Sequence, residues 1–194
     1  MSILKVQSES EATGLTAEIY QADLKSMGYV PSHTKAMSIN PEAYKAWQAL
    51  IKAIVSSLGL RRYELVTLAA AQAIGSSHCR LAHGKKTLAI IDEEQLLAVA
   101  RDYRDAGLPP EEVAMMDYAV KLSTDAAAMN DDDTQRLRDV GFSDREIADI
   151  TLAATARNYF SRALLALAVD LDVPPGVTTE LQDALLTPLP AQGD

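Results

Sequence analysis

Alanine- and leucine-rich segments, with polar residues set between the apolar ones, run through most of this chain. No alternating Val- and Ile-rich run is long enough to form a sheet. Aromatic residues make up only 5% of the sequence. The pattern of apolar and polar positions therefore predicts an all-α fold.

Capping residues and glycines indicate where the helices begin and end. Asn40 followed by Pro41 is a typical helix start, with asparagine at the N-cap and proline at the first helical position. Ser143 and Glu146 have the spacing of a capping box. The predicted helices are 41–57, 61–74, 76–90, 92–106, 110–123, a short helix over 134–140 after an acidic loop at 129–133, 143–169, and a terminal helix from 178.

The length and composition favour one globular unit. With 194 residues, 48% of them hydrophobic, we expect a single domain over 1–194 and a flexible tail over 188–194. The net charge of −9 disfavours nucleic acid or an anionic membrane as partner, because both require concentrated Lys and Arg. The sequence has no signal-peptide pattern, no apolar stretch of membrane-spanning length and one cysteine, so we expect a cytoplasmic protein.

The single cysteine, Cys79, lies among residue types that activate a thiol. His83 follows four positions later, so the two side chains share one face of a helix. Cys79 is also in the first turn after an N-cap at Ser76 or the next residue, where the helix dipole favours a thiolate. Glu64 lies on the preceding helix, which Gly75 turns back, so it can orient His83 or relay a proton through water.

Plainer roles fit the same residues. A single cysteine in an Ala-rich helix is most often a small buried apolar side chain. A zinc site at His78, Cys79 and His83 lacks the second ligand pair that zinc sites usually have, and His33 has no spacing relation to them. The sequence has no Gly-rich phosphate loop either, so we expect neither a metal nor an organic cofactor.

The stretch from Glu64 to His83 resembles the core motif of the AhpD-like alkylhydroperoxidases of the carboxymuconolactone decarboxylase family. That motif has a Glu, a Cys-x-x-Cys pair and a His four residues after the second cysteine. Glu64, Cys79 and His83 match in type and spacing, and His78 matches a histidine that some members carry before the second cysteine. Segments 27–31, 40–47 and 141–162 resemble the peroxidase-related branch, so the resemblance covers about residues 25–175.

The resemblance implies an AhpD-like helical bundle that assembles into a homo-oligomer, often a trimer or hexamer. It also implies an antioxidant, peroxiredoxin-type activity, the thiol-dependent reduction of an organic hydroperoxide or hydrogen peroxide. In that scheme Glu64 and His83 form a proton relay that activates Cys79, and His78 assists.

Ser76 departs from the family pattern because it occupies the position of the first cysteine. A serine can cap the helix and hydrogen-bond a thiolate, but it cannot form or resolve a disulfide. The expected route is therefore one-cysteine chemistry, in which Cys79 becomes a sulfenic acid and an external thiol reduces it. Two alternatives remain: a decarboxylase-like acid–base enzyme that uses Glu64 and His83 without the thiol, and a non-catalytic member that binds a ligand or partner.

Overall fold

A computed structural model describes residues 3–187, and within this range the chain forms helices and no strand, as the sequence predicts. Two short 3₁₀ turns lie at Tyr103–Asp105 and Ala126–Ala128. The α-helices in this range are α1 Gly14–Met27, α2 Ser32–Met37, α3 Pro41–Leu58, α4 Leu60–Ile74, α5 Ser77–Thr87, α6 Glu93–Asp102, α7 Pro110–Thr124, α8 Asp131–Asp139, α9 Asp144–Ala166 and α10 Thr179–Leu186.

The predicted helix starts are confirmed where a cap was recognised. The Asn40 side chain accepts a hydrogen bond from the backbone N–H of Ala43 and begins α3. Ser143 and Glu146 form the expected capping box at the start of α9. Gly75 ends α4 with φ 75°, a left-handed conformation that glycine adopts without strain. This turn brings α5 back against α4.

Three parts of the predicted helix pattern were wrong or incomplete. The acidic segment 131–133 is not a loop but the first turn of α8, because Asn130 caps it and acidic side chains favour a helix N-terminus. α5 and α9 each end about three residues earlier than predicted, and α6 ends at Asp102, where a 3₁₀ turn follows in place of the predicted helix up to 106. α1 and α2 were not predicted. The start of α2 is stabilised by a distant residue, because the Asp172 carboxylate accepts hydrogen bonds from the N–H and the hydroxyl of Ser32.

α4 is the central helix of the described fold. Its residues from Tyr63 to Ala71 are all buried, so the helix has neighbours on every side. It packs against α5, α7 and α9, and these helices share the main hydrophobic core. A second buried cluster, which includes Tyr44, Cys79 and Phe160, lies where α1–α3 cover α5 and α9. The thiol is therefore held between the central helices and the N-terminal ones.

α10 supports the face of α5 that turns away from the thiol. The buried Arg80 guanidinium donates to the backbone carbonyls of Ala100, Ala184 and Thr187 and so joins α5 to the ends of α6 and α10. One turn later Gly84 lets α10 approach closely, since a Cβ there would lie 2.5 Å from a methyl carbon of Leu185. These contacts hold α5 in place on the side that faces α6 and α10.

The lengths of the helices and the C-terminal tail bear on two further predictions. Between residues 3 and 187, no helix combines the length and the apolar character needed to cross a membrane. The predicted flexible tail, 188–194, lies outside the described residues.

Candidate active site

A cavity of about 780 Å³ lies beside α4, α5 and α9, with α1–α3 contributing its other walls. Glu64, His78, Cys79 and His83 all line it. Four of the five candidate residues predicted from the sequence therefore line the same cavity. Ser76 does not line the cavity.

Glu64 and His83 form a buried pair across the α4–α5 turn. The Nδ1 atom of His83 lies 2.5 Å from Oε2 of Glu64, and both side chains are almost fully enclosed. The ring of Tyr63 meets the imidazole edge-on at 6.1 Å between centroids. The turn at Gly75 thus produces the contact that the sequence spacing predicted.

The surroundings of this pair determine its protonation. Burial lowers the pKa of His83 to about 3, with the Arg157 charge acting in the same direction and Glu64 opposing it. Burial alone would raise the pKa of Glu64, but its contact with His83, together with the charges of Lys86 and Arg157, lowers it. His83 is therefore neutral, and its Nδ1–H donates to the Glu64 carboxylate, which has no proton to give. This tautomer leaves Nε2 unprotonated, as a general base requires.

The Cys79 sulfur has two buried hydrogen-bond donors, both on α9. Nη1 of Arg157 lies 3.2 Å from Sγ, and the hydroxyl oxygen of Ser161 lies 3.2 Å from the same atom. Cys79 is only 2% exposed, so these donors are shielded from water. The sequence reasoning singled out neither Arg157 nor Ser161.

Arg157 is a fully buried cation without a carboxylate partner among its described contacts. Besides Cys79, it donates to the Tyr63 hydroxyl at 3.2 Å and lies over the rings of Trp47 and Phe160 at 5.8 and 5.6 Å. Burial alone would lower the pKa of Arg157, but its contacts with Cys79 and Tyr63 raise it. A buried charge is unfavourable unless it is compensated. The Cys79 sulfur therefore accepts a charge-assisted hydrogen bond from this buried cation.

The remaining predicted residues take less central places. Ser76 stands at the N-cap of α5, but its buried hydroxyl makes no hydrogen bond within the described chain. The N-cap position predicted for Ser76 is therefore confirmed, whereas its side chain neither caps the helix nor hydrogen-bonds the Cys79 sulfur. His78 lines the cavity, and its buried Nε2 likewise has no partner among residues 3–187.

His33 is a cavity residue that the sequence did not reveal. It lies on α2, meets Phe160 edge-on at 5.9 Å and lines the same cavity as His78 and His83. Burial lowers its pKa to about 3, so it too is neutral. No local pattern joins His33 to Cys79, because His33 is placed in the cavity by packing between distant segments, seen in its contact with Phe160 of α9.

An aromatic wall completes the cavity. Trp47 and Phe160 stack with ring centroids 4.2 Å apart, and Tyr44 stacks on both at 5.9 and 6.2 Å. These rings give the cavity a large apolar surface beside its charged residues. The site can therefore receive an organic molecule as well as a small polar one.

Several known proteins share this architecture. The model of the carboxymuconolactone decarboxylase family matches residues 41–121. An Agrobacterium tumefaciens protein of unknown function, named as a candidate antioxidant defence protein AhpD, is 31% identical, with 69% of this chain and 92% of that one covered and a TM-score of 0.59. A peroxidase-related protein with an AhpD core from Ralstonia eutropha JMP134 is 24% identical, with 96% and 97% covered and a TM-score of 0.76.

A variant of the debrominase Bmp8, whose structure was solved in complex with 2,3,4-tribromopyrrole, is 16% identical in sequence to this chain. The comparison covers 95% of this chain and 98% of that one, with a TM-score of 0.74. This likeness concerns the fold alone. No curated protein sequence matches the chain. The fold is that of an AhpD-like helical protein. The chain belongs to the carboxymuconolactone decarboxylase family, among its AhpD-like members.

Proposed function

We propose that the protein is a one-cysteine thiol peroxidase that reduces hydroperoxides at Cys79. The observation that carries this proposal is the buried sulfur, which receives two hydrogen bonds from α9 and lines the same cavity as the unprotonated His83. A thiolate is the nucleophilic form of cysteine, and a neighbouring guanidinium stabilises it. The peroxidase-related relatives of the same fold support the reaction class.

The chemical step follows from the positions of these groups. Nε2 of His83 takes the thiol proton of Cys79, directly or through one water, and Glu64 stabilises the imidazolium. The thiolate attacks the terminal peroxide oxygen, so that an S–O bond forms while the O–O bond breaks. The sulfur is oxidised and the peroxide is reduced. The leaving alkoxide takes the proton from His83, which yields an alcohol and a sulfenic acid on Cys79.

Reduction of the sulfenic acid requires thiols from outside the chain. Cys79 is the only cysteine, and Ser76 cannot form a disulfide. A first external thiol attacks the sulfenic sulfur, releases water and forms a mixed disulfide. A second thiol then attacks this disulfide, leaves as an external disulfide and restores Cys79. Because Cys79 is enclosed, each reducing thiol has to enter the cavity.

Trapping the sulfenic acid tests the proposal. After treatment with limiting cumene hydroperoxide and dimedone, we expect a dimedone adduct on the peptide that contains Cys79. Dimedone is needed because the six methionines can also take up one oxygen, so that added oxygen alone does not identify a sulfenic acid. Cys79→Ser is the matched control and should give no adduct. If no adduct forms on Cys79, and neither glutathione nor dihydrolipoamide supports peroxide consumption, the proposal is wrong.

One observation favours a second candidate, an acid–base enzyme of the decarboxylase type. The described hydrogen bonds of Cys79 come from α9 and not from His83, so the Glu64–His83 pair can serve a substrate without the thiol. The Bmp8 complex adds that a protein of this fold binds a small ring compound. With a lactone substrate, such an enzyme should lose turnover in Glu64→Gln and keep it in Cys79→Ala. A thiol peroxidase should lose turnover in Cys79→Ala.

A further inference from the structure

The cavity does not share the strongly negative charge of the whole chain. The chain carries a net charge of −9, whereas Lys85, Lys86 and Arg157 line the cavity against Asp23 and Glu64. Two of the lining histidines are neutral, as shown above. These three cations offset Asp23, Glu64 and the thiolate that the proposed function assigns to Cys79, so an unpaired cation in the cavity can attract an anion even though the chain as a whole repels it.

Four of these five charged groups already have partners. Lys85 donates to a backbone carbonyl at 3.3 Å, and Arg157 donates to the thiol. Glu64 is bonded to the imidazole, and Asp23 accepts from a threonine hydroxyl at 2.6 Å. Lys86 has no hydrogen bond or ion pair with any residue of the described range. It is therefore the cation in the cavity that is available to a ligand; burial lowers its pKa, whereas the charges of Glu64, Cys79 and Asp23 raise it, and a bound carboxylate would raise it further.

The position of Lys86 relates this cation to the thiol. It lies on α5 three residues after His83 and seven after Cys79, so all three share one face of the helix. With a rise of 1.5 Å per residue, Lys86 lies about 10 Å along the helix axis from Cys79. Lys86 is exposed to solvent while it lines the cavity, whereas Cys79 is enclosed. Lys86 therefore lies at the outer end of the cavity and Cys79 at its inner end.

We propose that the cavity takes amphipathic acids, and that Lys86 binds the carboxylate of an organic hydroperoxide whose apolar part lies along the aromatic wall of Tyr44, Trp47 and Phe160. The hydroperoxide part of this inference rests on the proposed peroxidase function. The acid-binding part does not, because it depends only on the free ammonium group and the apolar wall. A neutral hydroperoxide of the same length makes the apolar contacts but lacks the ion pair.

A binding experiment without peroxide tests the acid site. Trp47 is the only tryptophan and lines the cavity, so its fluorescence reports on occupancy. We would titrate the protein with decanoate and, separately, with decanol, and repeat the decanoate titration by calorimetry. Decanoate should bind more tightly, and Lys86→Met should weaken decanoate binding about five- to tenfold, in keeping with a partly exposed ion pair, while leaving decanol binding unchanged. Lys86→Arg should keep the preference.

The matched control is Lys52→Met, an exposed lysine of α3 that does not line the cavity. It should behave as the wild type. Equal binding of acid and alcohol, or an unchanged preference in Lys86→Met, would overturn the proposal. A preference that persists in 1 M salt would also count against it, because screening weakens an exposed ion pair.

A catalytic arm separates this inference from the proposed function. With a carboxylate-bearing hydroperoxide and cumene hydroperoxide as substrates, Lys86→Met should raise KM about five- to tenfold for the acid only, the factor expected for the ion pair. If neither peroxide is reduced but the decanoate preference depends on Lys86, the peroxidase proposal fails and the acid site stands. If both peroxides are reduced with equal KM in wild type and variant, the acid site fails and the peroxidase proposal stands.

Discussion

Replacing Arg157 by methionine tests the part of the site that α9 contributes. The substitution removes the guanidinium that lies 3.2 Å from the Cys79 sulfur and keeps an apolar side chain in the buried position. A hydrogen bond to a charged group contributes ~1.5–3 kcal/mol, and each 1.4 kcal/mol is tenfold. We therefore expect the ratio of thiolate to thiol at Cys79 to fall about 10- to 100-fold. Ser161→Ala removes one neutral donor, so its effect should be smaller, about two- to tenfold.

Two measurements on Arg157→Met are complementary. The ultraviolet absorbance of the thiolate, taken as the difference from Cys79→Ser, reports the population and does not depend on access to the buried sulfur. The rate of alkylation by iodoacetamide reports reactivity. Since the smaller methionine side chain opens the cavity, improved access would increase that rate. A lower rate in Arg157→Met therefore reflects loss of the thiolate.

Arg162→Met is the matched control for Arg157→Met. Arg162 lies on the same helix, and its guanidinium donates to the carbonyl of Ser123 and not to the thiol. The control should leave thiolate absorbance and alkylation unchanged. If Arg157→Met retains the helical circular dichroism of the wild type and equal thiolate absorbance, the reasoning from the buried cation is refuted.

Two further predictions concern stability. Gly84→Ala should lower the free energy of unfolding by ~1–3 kcal/mol, because its Cβ would lie 2.5 Å from Leu185 and overpack the core. In a Leu185→Ala background the same change should instead stabilise the protein by ~1 kcal/mol through helix propensity. Equal effects in both backgrounds, measured by urea unfolding, would contradict the clash. The free energy of unfolding should also fall as the pH decreases from about 6.5 towards 3. In this range the unfolded chain protonates its histidines, whereas in the folded protein burial lowers the pKa values of His33 and His83 to about 3 and keeps both neutral. His33→Phe should make this decline shallower, whereas urea unfolding that shows no decline in the wild type would refute the assignment of neutral buried histidines.

Local signals account for what could be predicted from the sequence. Helix starts at Asn40 and Ser143 depend on a few neighbouring residues, so their caps could be recognised directly. The contact between Glu64 and His83 also depends on one turn, at Gly75, and on spacing within two adjacent helices. Such features carry their information within about 20 residues of sequence, which is the span of a helix–turn–helix unit.

The rest of the site depends on packing between distant segments. Arg157 and Ser161 reach the thiol only because α9 packs against α4, and His33 reaches the cavity only because α2 lies over Phe160. Neither contact leaves a local pattern in the sequence. The charged segment 131–133 was misread for a different reason: acidic residues are common in loops, and the cap at Asn130 was not recognised.

The division of the site between α5 and α9 also sets an order of events during synthesis. Arg157 and Ser161 follow Cys79 by 78 and 82 residues, so a nascent chain that ends after α5 carries the thiol without either donor. The sulfur meets its cation only after most of the chain has been made and α9 has docked. Under the proposed function, completion of the fold and activation of the thiol are therefore the same event, and an incomplete chain presents Cys79 without the donors that activate it.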